Sequence, residues 1–240
     1  MGARTGSVDS IGRRRRLQRL GRAPPFSSLP RDVLKEVSSA SFDRTLRTGA
    51  VLFHQGDTAS AAYVMDRGAV RLSTSTLEGR SIVFRLAGPG GCLGLSSLLD
   101  GGPRSGEARA LTDATAMVVP YAVLRAHMDR NPTVVVAFAR YVALRLRQER
   151  ERLGSFASND TTTKLGAMLR ELGESHGVVV PGGVLIDVPL RHEDLAGLVG
   201  TTRETVTRTM SALTRRGFLR RIGSRYLVVG LSDLAGGSGA

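Results

Sequence analysis

The sequence is short of the residues that carry most redox, metal and disulfide chemistry. Its 240 residues hold one cysteine, Cys92, and four histidines. One thiol allows no intrachain disulfide, no four-thiolate iron–sulfur cluster and no four-cysteine zinc site. The histidines stand at 54, 127, 176 and 192, with no metal spacing such as His-Glu-x-x-His, and read as ordinary surface or core residues. No stretch approaches the ~18 apolar residues of a membrane-spanning helix. Arg13–Arg16 is a run of four arginines, but no apolar segment follows it as a secretory signal requires, so a cytoplasmic location is expected.

Lysine is nearly missing too. The basic residues are 32 Arg and 2 Lys, and the formal net charge is +13. Guanidinium suits bidentate contact with phosphate and guanine, so the excess points to a polyanionic partner, nucleic acid or an anionic membrane. A genome-wide preference for arginine codons would give the same ratio. Hydrophobic residues make up 41%, enough to bury cores in one or two domains.

Residues 1–25 hold seven Arg against one Asp and are read as a disordered basic tail ending at Pro24-Pro25. Leu29, Val33, Leu34 and Val37 then recur at helical spacing. From 43 to 120, short apolar runs are broken by Gly49, Gly56, Gly68, Gly79 and Gly88, the texture of antiparallel strands joined by tight turns. A β-sandwich or β-roll is expected over 26–120. A helix follows over 121–156, in which Val135, Ala139, Val142, Leu146, Glu149 and Leu153 alternate steps of four and three. That is a heptad seam, suited to pairing with a copy of itself; packing on the chain's own β domain is the alternative. Asp160 can cap a further helix, and a small hairpin is expected around Pro181-Gly182-Gly183.

Residues 190–217, LRHEDLAGLVGTTRETVTRTMSALTRRG, read as helix, turn and helix. Gly200 stops the first helix, and Thr201 or Thr202 caps the second, with Thr201 and Glu204 also fitting a capping box. At ~100° per residue from Arg203, Thr207 falls near 40°, Glu204 near 100° and Arg208 near 140°, opposite Val206, Met210 and Leu213 at about 280–340°. Arginine can pair with guanine and glutamate can accept from cytosine. A glutamate among arginines suggests base reading, because neutralising phosphate would not need it. After Gly217, two apolar-rich runs flank Gly223-Ser224, a hairpin signal, and carry Arg220, Arg221 and Arg225. Such a wing could contact phosphates.

LAGLVGTTRETVTRTMSAL resembles the recognition segment of the CRP/FNR family, the bacterial regulators of the cyclic-AMP receptor protein type, and the likeness extends over roughly 26–232. It implies an α+β chain: a cyclic-nucleotide-binding-like antiparallel β-roll (26–120), a dimerisation helix (121–156) and a winged helix-turn-helix (157–232). It implies a homodimer that reads a palindrome of TGTGA-like half-sites in double-stranded DNA and works with RNA polymerase, not a membrane. The DNA contacts would be Arg203, Glu204 and Arg208, with Thr202, Thr207, Arg220 and Arg221 in support. The family's effector cassette maps onto Gly91, Cys92, Leu93, Gly94, Arg104 and Ser105. Arg104 offers a fixed charge, and a short helix from about Leu95 could aim its amides at an anion.

Two positions depart from the cyclic-AMP pattern. Cys92 stands where the family places a glutamate for the ribose, and Glu149-Arg150 stand where it places a Thr-Ser pair for adenine. The effector is therefore expected to be a cyclic nucleotide other than ordinary cyclic AMP, or another anion. A vestigial pocket and a redox role for Cys92 are the other readings. No catalytic set and no metal site is recognisable, and GPGGCLG lacks the last glycine of a dinucleotide loop at Leu93. A nucleotide-handling enzyme and an anionic-membrane protein are the rival classes; turnover of a bound nucleotide, or vesicle binding without DNA binding, would favour them.

Overall fold

The computed structural model describes residues 5–75, 81–156 and 160–229, with side chains outside 5–10 and 151–159. The chain forms two compact units: Met1–Val70 with Ala87–Arg147, and Arg71–Leu86 with Gln148–Ala240.

Helix α1 (Thr5–Leu20) opens the chain, where the sequence suggests a disordered tail. Leu20 is fully buried and Leu17 packs against the same core. Arg16 donates to the Ser38 carbonyl at 3.1 Å, and Arg19 reaches Asp43 at 2.9 Å and Asp66 at 3.0 Å. Composition describes 1–25 as solvated because it cannot show that two carboxylates and an apolar seat wait elsewhere in the chain. A helix of poor intrinsic pattern is then held by tertiary partners.

Helix α2 (Arg31–Ala40) buries Val33, Leu34 and Val37, the expected apolar stripe. The glycine-punctuated stretch forms eight strands: β1 (Phe42–Leu46), β2 (Val51–Phe53), β3 (Ala61–Arg67), β4 (Val70–Ser75), β5 (Ser81–Ala87), β6 (Cys92–Leu93), β7 (Glu107–Ala110) and β8 (Ala114–Pro120). They make two four-stranded sheets, ordered β1-β8-β3-β6 and β2-β7-β4-β5. The described registers of β1, β3, β6 and β8, and of β2 with β7, are antiparallel. Helix α3 (Leu95–Asp100) lies between β6 and β7.

The expected helix over 121–156 is divided into α4 (Tyr121–Arg130) and α5 (Pro132–Phe156). Pro132 is tolerated at the first helical position, and the Asn131 side chain accepts from the Thr133 amide at 3.0 Å, so the break caps the longer helix. Val134, Ala137 and Phe138 of α5 are buried in the β-roll's core, with Phe138 edge-on to Phe26 at 5.8 Å. Val135, Ala139 and Leu146 are exposed and Val142 is half-buried. The seam thus lies apart from the face that packs on the β-roll, although the side chain of Leu153 lies outside the described residues.

The second unit holds α6 (Thr161–His176), β9 (Gly177–Val180), β10 (Gly183–Ile186), α7 (His192–Val199), α8 (Arg203–Arg215), β11 (Leu219–Ile222) and β12 (Arg225–Val228). Asp160 caps α6 by accepting from the Thr162 and Thr163 amides, each at 3.0 Å. These bonds hold its carboxyl below the usual carboxylate range. The four strands form one antiparallel sheet, β11-β12-β10-β9. Also within this unit, Arg71 of β4 pairs at 3.0 Å with Asp194, a carboxylate of α7 that is 1% exposed.

Candidate nucleic-acid interface and effector pocket

The turn between α7 and α8 forms because Gly200 adopts φ 67°, the left-handed region, which halts α7. The Thr201 amide returns to the Ala196 carbonyl at 3.0 Å. Thr202, not Thr201, caps α8, accepting from the Thr205 amide at 3.3 Å. The Thr201–Glu204 capping box does not form, because with Thr202 as cap the reciprocal position is Thr205. Glu204 is left exposed in the first turn.

Helix α8 packs on α6 and α7. Val206, Met210 and Leu213 are at most 3% exposed, and each contributes about 1.5–3 kcal/mol by leaving water. Their burial turns the opposite face outward. Arg203, Glu204, Arg208, Thr202 and Thr207 are all exposed on one side of the helix. The wing follows as predicted: β11 and β12 pair antiparallel around Gly223-Ser224, and Arg220, Arg221 and Arg225 are exposed. Arg225 is paired with Asp187 at 3.1 Å and the Arg221 Nε donates to the Gly223 carbonyl at 3.0 Å, whereas Arg220 extends from the strand.

The sequence marks none of the histidines as special, yet His192 is not ordinary. Its Nδ1 lies 2.8 Å from the Thr207 hydroxyl and its Nε2 2.9 Å from that of Tyr226, so it joins the start of α7 to both α8 and the wing. Burial and the Arg221 and Arg203 guanidinia push its pKa down. Hydrogen-bonding side chains on three elements carry no local sequence signature. Of the others, His54 faces Glu107 and His127 faces Glu36, each at 3.3 Å.

In the β-roll, the Arg104 guanidinium lies against Gly94, while the other cassette residues differ in exposure. Cys92 is 2% exposed and belongs to the core cluster that includes Val64, Leu95 and Leu98. Leu93 is buried as well, whereas Ser105 is exposed beside a buried Arg104. Gly91 and Gly94 are half-buried. Arg104, 4% exposed, donates to the Ala61 carbonyl at 2.6 Å and to the Tyr121 hydroxyl at 3.1 Å. Its guanidinium lies over Phe53 at 4.4 Å, Tyr63 at 5.3 Å and Tyr121 at 5.7 Å. Tyr121 in turn donates to the Gly94 carbonyl. Gly94 has φ 78°, and a Cβ there would overlap the guanidinium. A buried cation is stabilised here by acceptors and ring faces, and its Nε has no hydrogen-bond partner. Burial raises the Tyr121 pKa, against the lowering effect of Arg104, so the phenol stays a donor. Nothing local in the sequence marks the aromatic residues 53, 63 and 121 as neighbours.

Comparison with known proteins matches residues 43–131 to the cyclic nucleotide-binding domain family and 163–236 to the Crp-like helix-turn-helix domain family. The cyclic AMP receptor protein of Thermus thermophilus is 33% identical over 82% of this chain and 88% of its own length. A CRP-like cAMP-activated global transcriptional regulator of Mycobacterium tuberculosis is 26% identical over 84% and 88%. Among solved structures, a CRP/FNR-family transcriptional regulator from Thermus thermophilus superposes with TM-score 0.66 at 27% identity, over 82% of this chain and all of that one. FixK2 from Bradyrhizobium japonicum shares the fold, with TM-score 0.73 at 21% identity over 83% and 98%. An α+β chain with a β-rich nucleotide-binding-type domain ahead of a DNA-binding helix-turn-helix, a third identical to such a receptor, belongs to the CRP/FNR family of transcriptional regulators.

Proposed function

We propose that this regulator is a cytoplasmic homodimer that reads a palindrome of TGTGA-like half-sites. One α8 would enter the major groove in each half-site, about one DNA turn from the other. The reading is carried by the opposed faces of α8: Arg203, Glu204 and Arg208 exposed, Val206, Met210 and Leu213 buried. Arg203 and Arg208 would pair with guanine and Glu204 would accept from cytosine. Thr202 lies at the same end of α8, and Arg220 and Arg221 would take phosphates from the wing. The exposed stripe Val135, Ala139, Leu146 on α5 supports self-association, because it remains apolar after a different face of the helix has packed on the β-roll. RNA polymerase is the expected further partner. Selection from random duplexes with the purified protein tests the reading. A recovered palindrome with half-sites about one turn apart is expected, and a pool without shared sequence would overturn it.

The β-roll would hold a cyclic nucleotide or other anion as effector, but not ordinary cyclic AMP. The Thermus thermophilus relative is named for cyclic AMP. Here the residue in the ribose position, Cys92, is an apolar-core thiol and supplies no carboxylate. A second reading, regulation without ligand, is favoured by Arg104, whose guanidinium is already held by Ala61, Tyr121 and three rings. Affinity for the selected site, measured alone and with cyclic AMP or cyclic GMP, separates these. A tenfold gain with cyclic AMP overturns both. A gain with cyclic GMP only supports the anion effector. Tight binding unchanged by either nucleotide supports the ligand-free reading.

A further inference from the structure

We infer that His192 is a positioning residue for DNA reading, fixing the wing to the first turns of α8 through one directed chain of hydrogen bonds. The inference rests on α8 being the helix that reads DNA. The chain runs from Tyr226 through His192 and Thr207 to the carbonyl of Arg203.

Its direction follows from counting protons. The Thr207 hydroxyl lies 2.9 Å from the Arg203 carbonyl, which can only accept. A hydroxyl has one proton, so that proton is used there, and the oxygen must accept from His192 Nδ1 at 2.8 Å. The imidazole therefore carries its proton on Nδ1. In the neutral ring Nε2 is then a bare acceptor, and Tyr226, 2.9 Å away, must donate to it. Tyr226 is 4% exposed, and its ring lies nearly parallel to the imidazole, with an interplanar angle of 25°. The neutral form is favoured first by burial of the ring, then by Arg221 of β11 and Arg203 of α8, whose charges oppose a second proton. On α7 itself, Asp194 is committed to Arg71.

The two ends of this chain are informative. One is the peptide of Arg203, the first residue of α8. The other is Tyr226, whose partner across the wing is Arg221. His192 thus ties the backbone that aims a base-reading arginine to β12, the strand paired with the one that carries a phosphate-binding arginine. Thr207 takes on a different role from the one its exposure suggests. Its only proton is spent on the helix backbone, so it holds geometry and does not donate to DNA.

The test uses the full chain labelled with ¹⁵N-histidine, with H192Q identifying the resonance among four. At neutral pH the proton is expected on Nδ1, with the ring titrating below 6.5, its ordinary value. A ring protonated on Nε2 overturns the chain of bonds, with or without DNA present. For positioning, Y226F keeps the ring and removes the hydroxyl. Its affinity for the selected site should fall about three- to tenfold, the scale of one lost hydrogen bond. Affinity for random duplex and its salt dependence should not change, since no phosphate contact is removed. T207V should behave alike, T207S should restore binding, and T207V with Y226F should be no worse than either alone. Equal loss on both DNAs, or no loss on the selected site, overturns the positioning role. Should Y226F melt, the T207V and T207S pair decides. Wild-type selection separately tests whether α8 reads sequence at all.

Discussion

At the scale of single residues, the tyrosines stand where polar groups meet. The chain has four tyrosines. Tyr63 and Tyr121 face Arg104, Tyr141 donates to the Cys92 carbonyl at 3.4 Å, and Tyr226 meets His192. A phenol serves this purpose because one end is apolar and the other hydrogen-bonds. Residues on the α8 surface should separate by role. Arg203→Ala and Glu204→Ala are each expected to relax preference at one position of every half-site by ~1–3 kcal/mol, read by competition among single-base variants. Arg220→Ala should instead weaken all sequences alike and flatten the plot of affinity against salt by about one unit of slope. A uniform loss from Arg203→Ala would argue against base reading there.

At the scale of elements, α5 carries two apolar faces with different fates. One is buried against the β-roll through Val134, Ala137 and Phe138. The other leaves Leu146 61% exposed, a large apolar side chain whose solvation is unfavourable unless another surface covers it. Leu146→Glu should convert a dimer at micromolar concentration into a folded monomer, seen by sedimentation, with at least a tenfold loss on a palindromic site because two half-sites no longer bind together. An unchanged dimer would place the interface elsewhere.

At the scale of the whole molecule, acid should loosen the fold in two stages. His176 and His192 have their pKa values lowered, His176 by burial and then by Arg85. A histidine whose folded pKa lies below its unfolded value stabilises the fold fully above about 6.5, and this stability is lost as pH falls through the folded value. Glu107, Asp113 and Asp160 are likewise held low, mainly by hydrogen bonds from Arg109, Thr48 and Thr163, and their contribution is lost at lower pH still. The thermal midpoint should therefore be flat from pH 8 to 7 and decline below 6.5, then more steeply below 4. A midpoint that rises on acidification from 7 to 5.5 would contradict these assignments.

Local pattern was enough for the elements whose cause is local. The glycine-spaced β-roll, the Asp160 cap, the Gly200 turn, the two faces of α8 and the hairpin at Gly223-Ser224 all follow from period, turn chemistry and capping, which act over a few residues. Only the tertiary structure could decide the rest. The tail became a helix because Asp43 and Asp66 meet Arg19, Arg104 turned inward because residues 53, 63 and 121 surround it, and Cys92 is buried with the core. His192 joined two distant segments. Such pairings bring together residues far apart in the chain, where burial and partner geometry, not sequence spacing, set the energy.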